Sequence, residues 1–395
     1  MIKRKKKNKE HNPFYDPTLK KRHVSAKRFK KFTLTSLIFS VAFLAFFLFD
    51  MIGKGIPAFN IAYIKTDVTF NEKTLEDTRF AVPTEYRNLV SRAALRDLPK
   101  LLEENPTYMN STQNIWILAS SQVDQYIKNH NHNLKDKDIA KVDELYAQGL
   151  IDKKFNAIFF ENGDSKIPEY AGIFSAVIGS ILTLIITMAV AFPIGVMTAI
   201  YLEEFAGDNK FTRFIEININ NLAAIPSILF GLLGLAIFIN LFGMPRSSPL
   251  VGGLTLALMT LPIIIVSSRA ALRAVPDSIR QAGYGLGLNK IQVTRDHVLP
   301  LAFPGIMTGS IIGLAQAMGE TAPLIIIGMI AFIPDAPSMV TGAATVMPAQ
   351  LFTWAGMPEG MYIEKTAAGI LVLLTILISL NAIAIYLRKK LEVKW

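Results

Sequence analysis

The sequence predicts an α-helical integral membrane protein with six transmembrane helices and an α+β extracytoplasmic insert between the first and second. Three observations lead there. Of 395 residues 51% are hydrophobic and only 18% are charged, a balance unlike that of a soluble globular domain. The apolar residues are gathered into runs, and at about 1.5 Å per helical residue a run of about 20 crosses a hydrocarbon core of about 30 Å. Much of the net charge of +10 sits in short segments beside those runs, which is a topology signal before it is a nucleic-acid one.

Six runs qualify: residues 32–49, 170–202, 217–242, 250–266, 301–333 and 366–387. The second and fifth are overlong, so part of each should tilt, protrude or lie at the bilayer surface. The chain then divides into a basic cytoplasmic tail (1–31), a first transmembrane helix (32–52), the insert (53–168) and a core of five transmembrane helices (169–395). The tail carries Lys3, Arg4, Lys5, Lys6, Lys7, Lys9, Lys20, Lys21, Arg22, Lys27, Arg28, Lys30 and Lys31 against Glu10 and Asp16, and belongs in the cytoplasm. No small-x-small cleavage site follows the first apolar run, so it reads as an uncleaved anchor. The chain has no cysteine, which excludes disulfides, thiolate metal sites and cysteine nucleophiles.

In the insert, residues 61–70 alternate like a strand, 84–102 and 135–148 have the pattern of amphipathic helices, and 155–160 reads as a second short strand. His130 and His132 fall in an Asn-rich stretch and read as a solvated loop, since a metal would need further ligands. The second run goes inward with Gly172, Gly179, Thr183, Thr187 and Pro193, small or polar residues suited to close helix packing. It ends at Glu203 and Glu204, ahead of a polar cytoplasmic loop with Lys210, Arg213 and Glu216. The third returns through Asn218, Asn220, Asn221 and Pro226, and asparagines at that depth call for helix partners or a wet cavity.

The fourth run leads to a cytoplasmic loop, 269–299, where Arg269, Arg273, Arg280, Lys290 and Arg295 outnumber Asp277 and Asp296. The positive-inside rule therefore agrees with the count from the N-terminus. The outer loop 334–365 brings Trp354 and Tyr362 as interfacial aromatics, and the last run returns to Arg388, Lys389 and Lys390, leaving both termini inside.

Two stretches carry function. In the cytoplasmic loop, Gln281, Ala282 and Gly283 are followed by Gly287 and then by His297, Leu299 and Pro300. This spacing gives a short helix, a glycine break with Gly287 left-handed, and a second helix ending at Pro300, which opens the next. The small residues let another protein's surface approach the backbone. In the fifth run, Gln316 and Glu320 lie four apart on one helical face beside Thr321, with Pro323 freeing the carbonyl of Gly319. An ionisable carboxyl in an apolar helix is costly and suggests a pathway lining. No phosphate-cradling loop, zinc-ligand cluster or nucleophile-base pair stands out, so the chain reads as non-enzymatic, without cofactor or metal.

The loop spacing resembles the coupling motif of ABC importer permeases, with Gln281 where glutamate is usual, Gly283 for alanine and His297 for isoleucine. Adding Ala199 to Glu204, Ala224-Ile225-Pro226-Ser227-Ile228, Gly319-Glu320-Thr321-Ala322-Pro323-Leu324, Trp354 and Glu364-Lys365-Thr366, residues 170–395 resemble the PstA type of phosphate ABC transporter permease. That resemblance implies a type I ABC importer permease fold in a bacterial inner membrane. It implies a PstC-like second permease, two PstB-like ATP-binding subunits and a PstS-like extracytoplasmic phosphate-binding protein, with the lipid bilayer as surroundings and no nucleic acid. Gln281, Ala282, Gly283, Gly287, Leu299 and Pro300 then become ATPase-coupling residues, and Gln316, Glu320, Thr321 and Asn221 pathway residues. Such chains tend to carry arginine where Gln316 stands, so positive charge for an anion should come from elsewhere. The alternatives are a permease for another small solute or oxyanion, and a membrane sensor with an extracytoplasmic ligand domain.

Overall fold

A computed structural model describes residues 18–330 and 332–391. It comprises two units, Met1–Gly53 and Lys54–Trp395. In the first, the described residues form a helix, α1 (Leu19–Gly55). No glycine or proline interrupts residues 19–52, so the basic segment 19–31, expected as a separate tail, is continuous with the apolar run. Thr35, Ser36 and Ser40 donate to carbonyls one turn back in the same helix, which satisfies their hydroxyls without a partner helix. Tail residues 1–17 lie outside the described residues.

The second unit begins with the insert, a three-stranded sheet of order β2-β1-β3 in which β1 (Asn60–Phe70) pairs antiparallel with β2 (Ser111–Leu118) and β3 (Ile151–Phe155). Alternation in β1 buries Ile64, Thr66, Val68 and Phe70 on one face. Covering them are α2 (Arg92–Arg96), α3 (Ser121–Ile127) and α4 (Asp136–Ala147), whose Leu95, Val123, Val142 and Leu145 complete the core.

The structure changes two expectations here. The helix expected over 84–102 is broken, because Ser91 caps α2 and Pro99 opens a separate helix, Leu98–Glu104. The strand expected over 155–160 is not formed: β3 ends at Phe155, and Asn156 turns the next apolar residues into a helix, its side chain accepting from the Phe159 N–H at 3.2 Å.

The core then runs through α5 (Phe174–Ile200), α6 (Lys210–Ala223), α7 (Ser227–Gly234), α8 (Pro249–Arg273), the short α9 (Asp277–Gly285) and α10 (Lys290–Val293), α11 (Leu299–Gly319), α12 (Ala322–Ile326), α13 (Met347–Ala355) and α14 (Gly360–Leu391). Among the described residues five helical stretches are long and apolar enough to cross a membrane: Leu19–Phe59, Phe174–Phe205, Pro249–Arg273, Lys290–Gly319 and Gly360–Lys390. α8 is the most enclosed of them. It packs on α5 through glycines: a Cβ added at Gly253 would lie 2.6 Å from Ile186, and one at Gly195 would lie 2.8 Å from Ile264. Small residues thus supply close approach where lipid provides no hydrophobic drive.

The third run is not one straight span. Lys210–Ala223 and Ser227–Leu241 are bent by 104°. Pro226 disfavours helical geometry in the residue before it, so α6 stops and α7 starts afresh. The asparagines do not act as interhelical bridges: Asn218 donates to the carbonyl of Phe214 in its own helix at 2.7 Å, and Asn220 and Asn221 are exposed. The fifth run also breaks, with α11 ending at Gly319 and Glu320 extended (φ −77, ψ 126).

Trp354 and Tyr362, expected as interfacial aromatics, are instead buried, at 1% and 2% exposure. Trp354 Nε1 donates to Asp164 Oδ1 at 2.8 Å, and Tyr362 donates to the Ser165 carbonyl at 2.6 Å. They belong to a junction between the insert and α14. Lys365, fully buried, donates to the carbonyls of Pro168 at 2.6 Å, Glu169 at 3.2 Å and Ala171 at 2.7 Å. Its neighbour Glu364 accepts from Gln125 at 2.6 Å and from Lys128 at 2.7 Å, and Lys128 also pairs with Asp124 at 2.8 Å. Glu169 accepts from the Ser121 N–H.

Burial pushes the Asp164 and Glu169 carboxyls above the usual carboxylate range. In the interval between the unfolded and folded values the folded chain holds protons that the unfolded chain has released. The contribution to stability is therefore full at low pH and is lost as pH rises through the folded values. Each of these two carboxyls therefore contributes a fall in the melting temperature of the solubilised protein as pH rises above the usual carboxylate range. Asp164→Asn retains the oxygen that accepts from Trp354 and Ser165, and should flatten that dependence. An unchanged pH profile in Asp164→Asn would refute the assignment.

Candidate functional site

The loop between α8 and α11 is a helical hairpin. α9 ends where Gly287 takes φ +80, and its N–H reaches the Tyr284 carbonyl at 2.9 Å while that of Leu288 reaches Gly283 at 3.2 Å. Asn289 and Gln292 then form a reciprocal capping box that starts α10. The second helix does not end at Pro300. Lys290–Gly319 is one helical stretch, and a π-helical segment, Thr294–Val298, precedes the proline. Pro300 has no N–H to return to the preceding turn, and the wider turn accommodates that vacancy without breaking the helix.

Gly283 serves the hairpin itself. A Cβ there would lie 2.8 Å from Val293, so the residue lets α9 fold onto α10 and offers no bare backbone to a partner. Gly287 has open space around it. Val293, Val298, Leu272 and Val275 bury the inner side, with half-buried Leu299 against them. On the outer side Gln281, Ala282 and Pro300 are exposed, as are Tyr284, Leu286 at 80% and Ile291 at 64%. Three exposed apolar side chains beside an ordered turn make an unsatisfied surface.

What holds the hairpin was not read from the sequence. A π-helical turn, Tyr201–Phe205, ends the helix begun by α5, and adjacent helical residues emerge about 100° apart, so Glu203 and Glu204 address different partners. Glu203 receives Arg273 through two bonds, at 2.8 Å and 2.9 Å, and Arg269 at 3.3 Å. Arg269 also pairs with Glu216 on α6. Glu204 receives Arg280 of α9 at 2.6 Å and 3.3 Å. Arg280 reaches further, to the carbonyls of Leu272 at 3.0 Å and Val275 at 2.7 Å. With side chains only 15% and 5% exposed, the Arg280–Glu204 pair is a forked, largely desolvated clasp between the loop and the end of α5.

The pathway candidates are arranged differently from the expectation. Gln316 is exposed on α11, whereas Glu320 lies beyond the helix end and Thr321 stands just before α12 without a side-chain capping bond. Gln316 and Glu320 therefore do not share a helical face. Pro323 falls in the first turn of α12, where its missing N–H displaces no bond. α12 packs on α7 at Gly231, whose added Cβ would lie 2.7 Å from Pro323. No side-chain hydrogen bond among the described residues joins Asn221, Gln316, Glu320 or Thr321. The void bounded by Ser180, Thr183, Ala317 and Met318 measures about 10 Å³, at the lower limit for one water.

The family comparison covers this same part of the chain. Residues 191–393 match the profile of the family described as "Binding-protein-dependent transport system inner membrane component", more than half of the chain. The chain belongs to this family. As such an inner membrane component it is a transport subunit of several membrane helices, and the hairpin and the broken fifth run both lie within the matched region. A domain of unknown function matches residues 16–86 and 81–136, covering α1 and much of the insert. Among curated relatives, the phosphate transport system permease protein PstA of Mycobacterium leprae is 36% identical over 160 residues, 40% of this chain and 52% of the relative. PstA 1 of Mycobacterium tuberculosis is 30% identical over 56% of this chain and 73% of the relative. PstA of Yersinia pestis is 30% identical over 61% and 81% respectively. The chain thus spans about half the length of the first of these and more of the others.

Proposed function

We propose that this chain is one of two membrane subunits of an ATP-driven phosphate importer, working with a PstC-like permease, two PstB-like ATPases and an extracytoplasmic phosphate-binding protein. The observation that carries the reading is the pairing of a tightly packed interior with an unpartnered outer face at the break in the fifth run. The void beside Ala317 and Met318, about 10 Å³, admits no phosphate, whereas exposed Gln316 with half-buried Glu320 and Thr321 offers a polar face along which a path can run once the second permease closes over it. Irregular backbone at membrane depth is tolerated only where protein covers it or where it lines a cavity, and Glu320 and Thr321 supply such a stretch. Phosphate as the substrate rests on the relatives' names.

In this reading Gln281, Ala282, Tyr284, Leu286 and Gly287 face the ATPase, while Gly283, Leu299 and Pro300 shape the hairpin. Closure of the ATPases pushes α9, and Arg280 passes that displacement to the end of α5. The N-terminus and C-terminus lie in the cytoplasm and the insert lies outside.

The test is uptake of radiolabelled phosphate into vesicles that hold this chain with its candidate partners, with and without internal ATP. Uptake is expected only with ATP, and excess sulfate or amino acid should leave it unchanged. ATP-independent flux, or equal competition by those solutes, would reject the proposal.

A further inference from the structure

The insert contains a cavity of about 660 Å³ between the 76–80 turn and α2. Its wall includes Arg79, Arg87, Arg92 and Arg96, and their surroundings divide them. Arg79 is taken: it reaches Asp77 at 2.6 Å and 2.9 Å, and that contact holds the Asp77 carboxyl below the usual range. The other three guanidiniums have no carboxylate partner within salt-bridge distance among the described residues. Arg92 and Arg96 lie one turn apart on α2 and are exposed. With Glu76 as the remaining acid in the wall, the lining keeps an excess of about two positive charges, which a cleft concentrates.

Arg87 shows where a ligand would sit. Its guanidinium carbon stands 4.6 Å from the centre of the Phe80 ring, so one planar face is covered and the N–H groups are left to act within the plane. Its Nε is buried and has no hydrogen-bond partner. A buried donor without an acceptor is costly; because the Nε has no accessible surface, the terminal N–H groups are the ones left to meet a ligand in the cavity.

We propose that this cavity is an anion site on the extracytoplasmic insert that takes a small organic phosphate ester. Arg87 donates to the phosphate from its terminal N–H groups, Arg92 and Arg96 neutralise it, and the remaining volume houses the organic part. A void of this size is within the usual range for small-molecule sites and is far larger than bare phosphate needs. The site lies away from Gln316 and Glu320 in sequence and element, and it stands whether or not the chain imports phosphate.

The experiment is titration calorimetry on the full-length chain in detergent, with glycerol 3-phosphate, inorganic phosphate and sulfate as separate probes. Glycerol 3-phosphate is expected to bind saturably and at least about tenfold more tightly than inorganic phosphate or sulfate, and to weaken as salt is raised. The double variant Arg92→Gln with Arg96→Gln changes only exposed side chains, and should weaken that binding about tenfold or more. Arg87→Gln should abolish it. Absence of saturable binding by the ester, equal binding of all three probes, or undiminished binding in the double variant would each overturn the proposal.

Discussion

Replacing Arg280 by alanine is expected to cut ATP-dependent uptake at least about tenfold while the protein still reaches the membrane. The substitution leaves Glu204, 6% exposed, with no cation in reach, and strips the carbonyls of Leu272 and Val275 of a donor. Breaking a buried pair from one side typically costs about 3–5 kcal/mol. Here the loss falls on the attachment of α9 to the end of α5, since the transmembrane helices keep their glycine-mediated packing. The hairpin then moves without carrying the core. Arg280→Lys keeps one charge but loses the fork, and should retain an intermediate rate. Exchanging the charges, Arg280→Glu with Glu204→Arg, should recover part of what either single change loses, which a double-mutant cycle measures. Uptake by Arg280→Ala within about twofold of the parent, at equal membrane level, would show that the clasp transmits nothing.

Gly287→Glu should abolish uptake and its coupling to ATP hydrolysis while leaving membrane insertion intact. The left-handed backbone, φ +80, costs a side-chain-bearing residue about 1–2 kcal/mol. That is too little to unfold a membrane core. No atom lies within 4 Å of the Cβ position, so the fold has room for the new side chain. Its bulk and charge instead project beside Leu286 on the face assigned to the ATPase. Gly287→Asn is the control, because asparagine tolerates the left-handed region. Asparagine should keep substantial uptake where glutamate does not. Equal uptake by both would mean that no partner packs against this turn.

The clasp illustrates which features local sequence reasoning recovers. The apolar runs and the alternation of β1 were legible because hydropathy and period are properties of neighbouring residues. Gly287 was legible because a left-handed turn after a short helix calls for glycine. Glu204 and Arg280 are 76 residues apart, and Glu203 and Arg273 are 70 apart, so no window contains either pair. The available hint was acidic residues closing one run and arginines four apart closing another. β2 stayed hidden because the first half of Ser111–Leu118 is polar. The break at Glu320 stayed hidden because hydropathy continues across it. Pro226 did carry its own signal, which the apolar composition on both sides outweighed. Trp354 and Tyr362 matched the membrane-interface pattern, and only the position of Asp164 and Ser165 makes them interior.

The Lys365 ammonium sets a rule for any graft or deletion of the insert. Three carbonyls of the 168–171 turn encircle that one cation, so a chimera cut at residue 168 or 170 would leave the ammonium stranded in an oily wall. Swaps that travel with both 164–172 and the opening turns of α14 preserve the plug and its socket together. Exchange of the appendage alone does not.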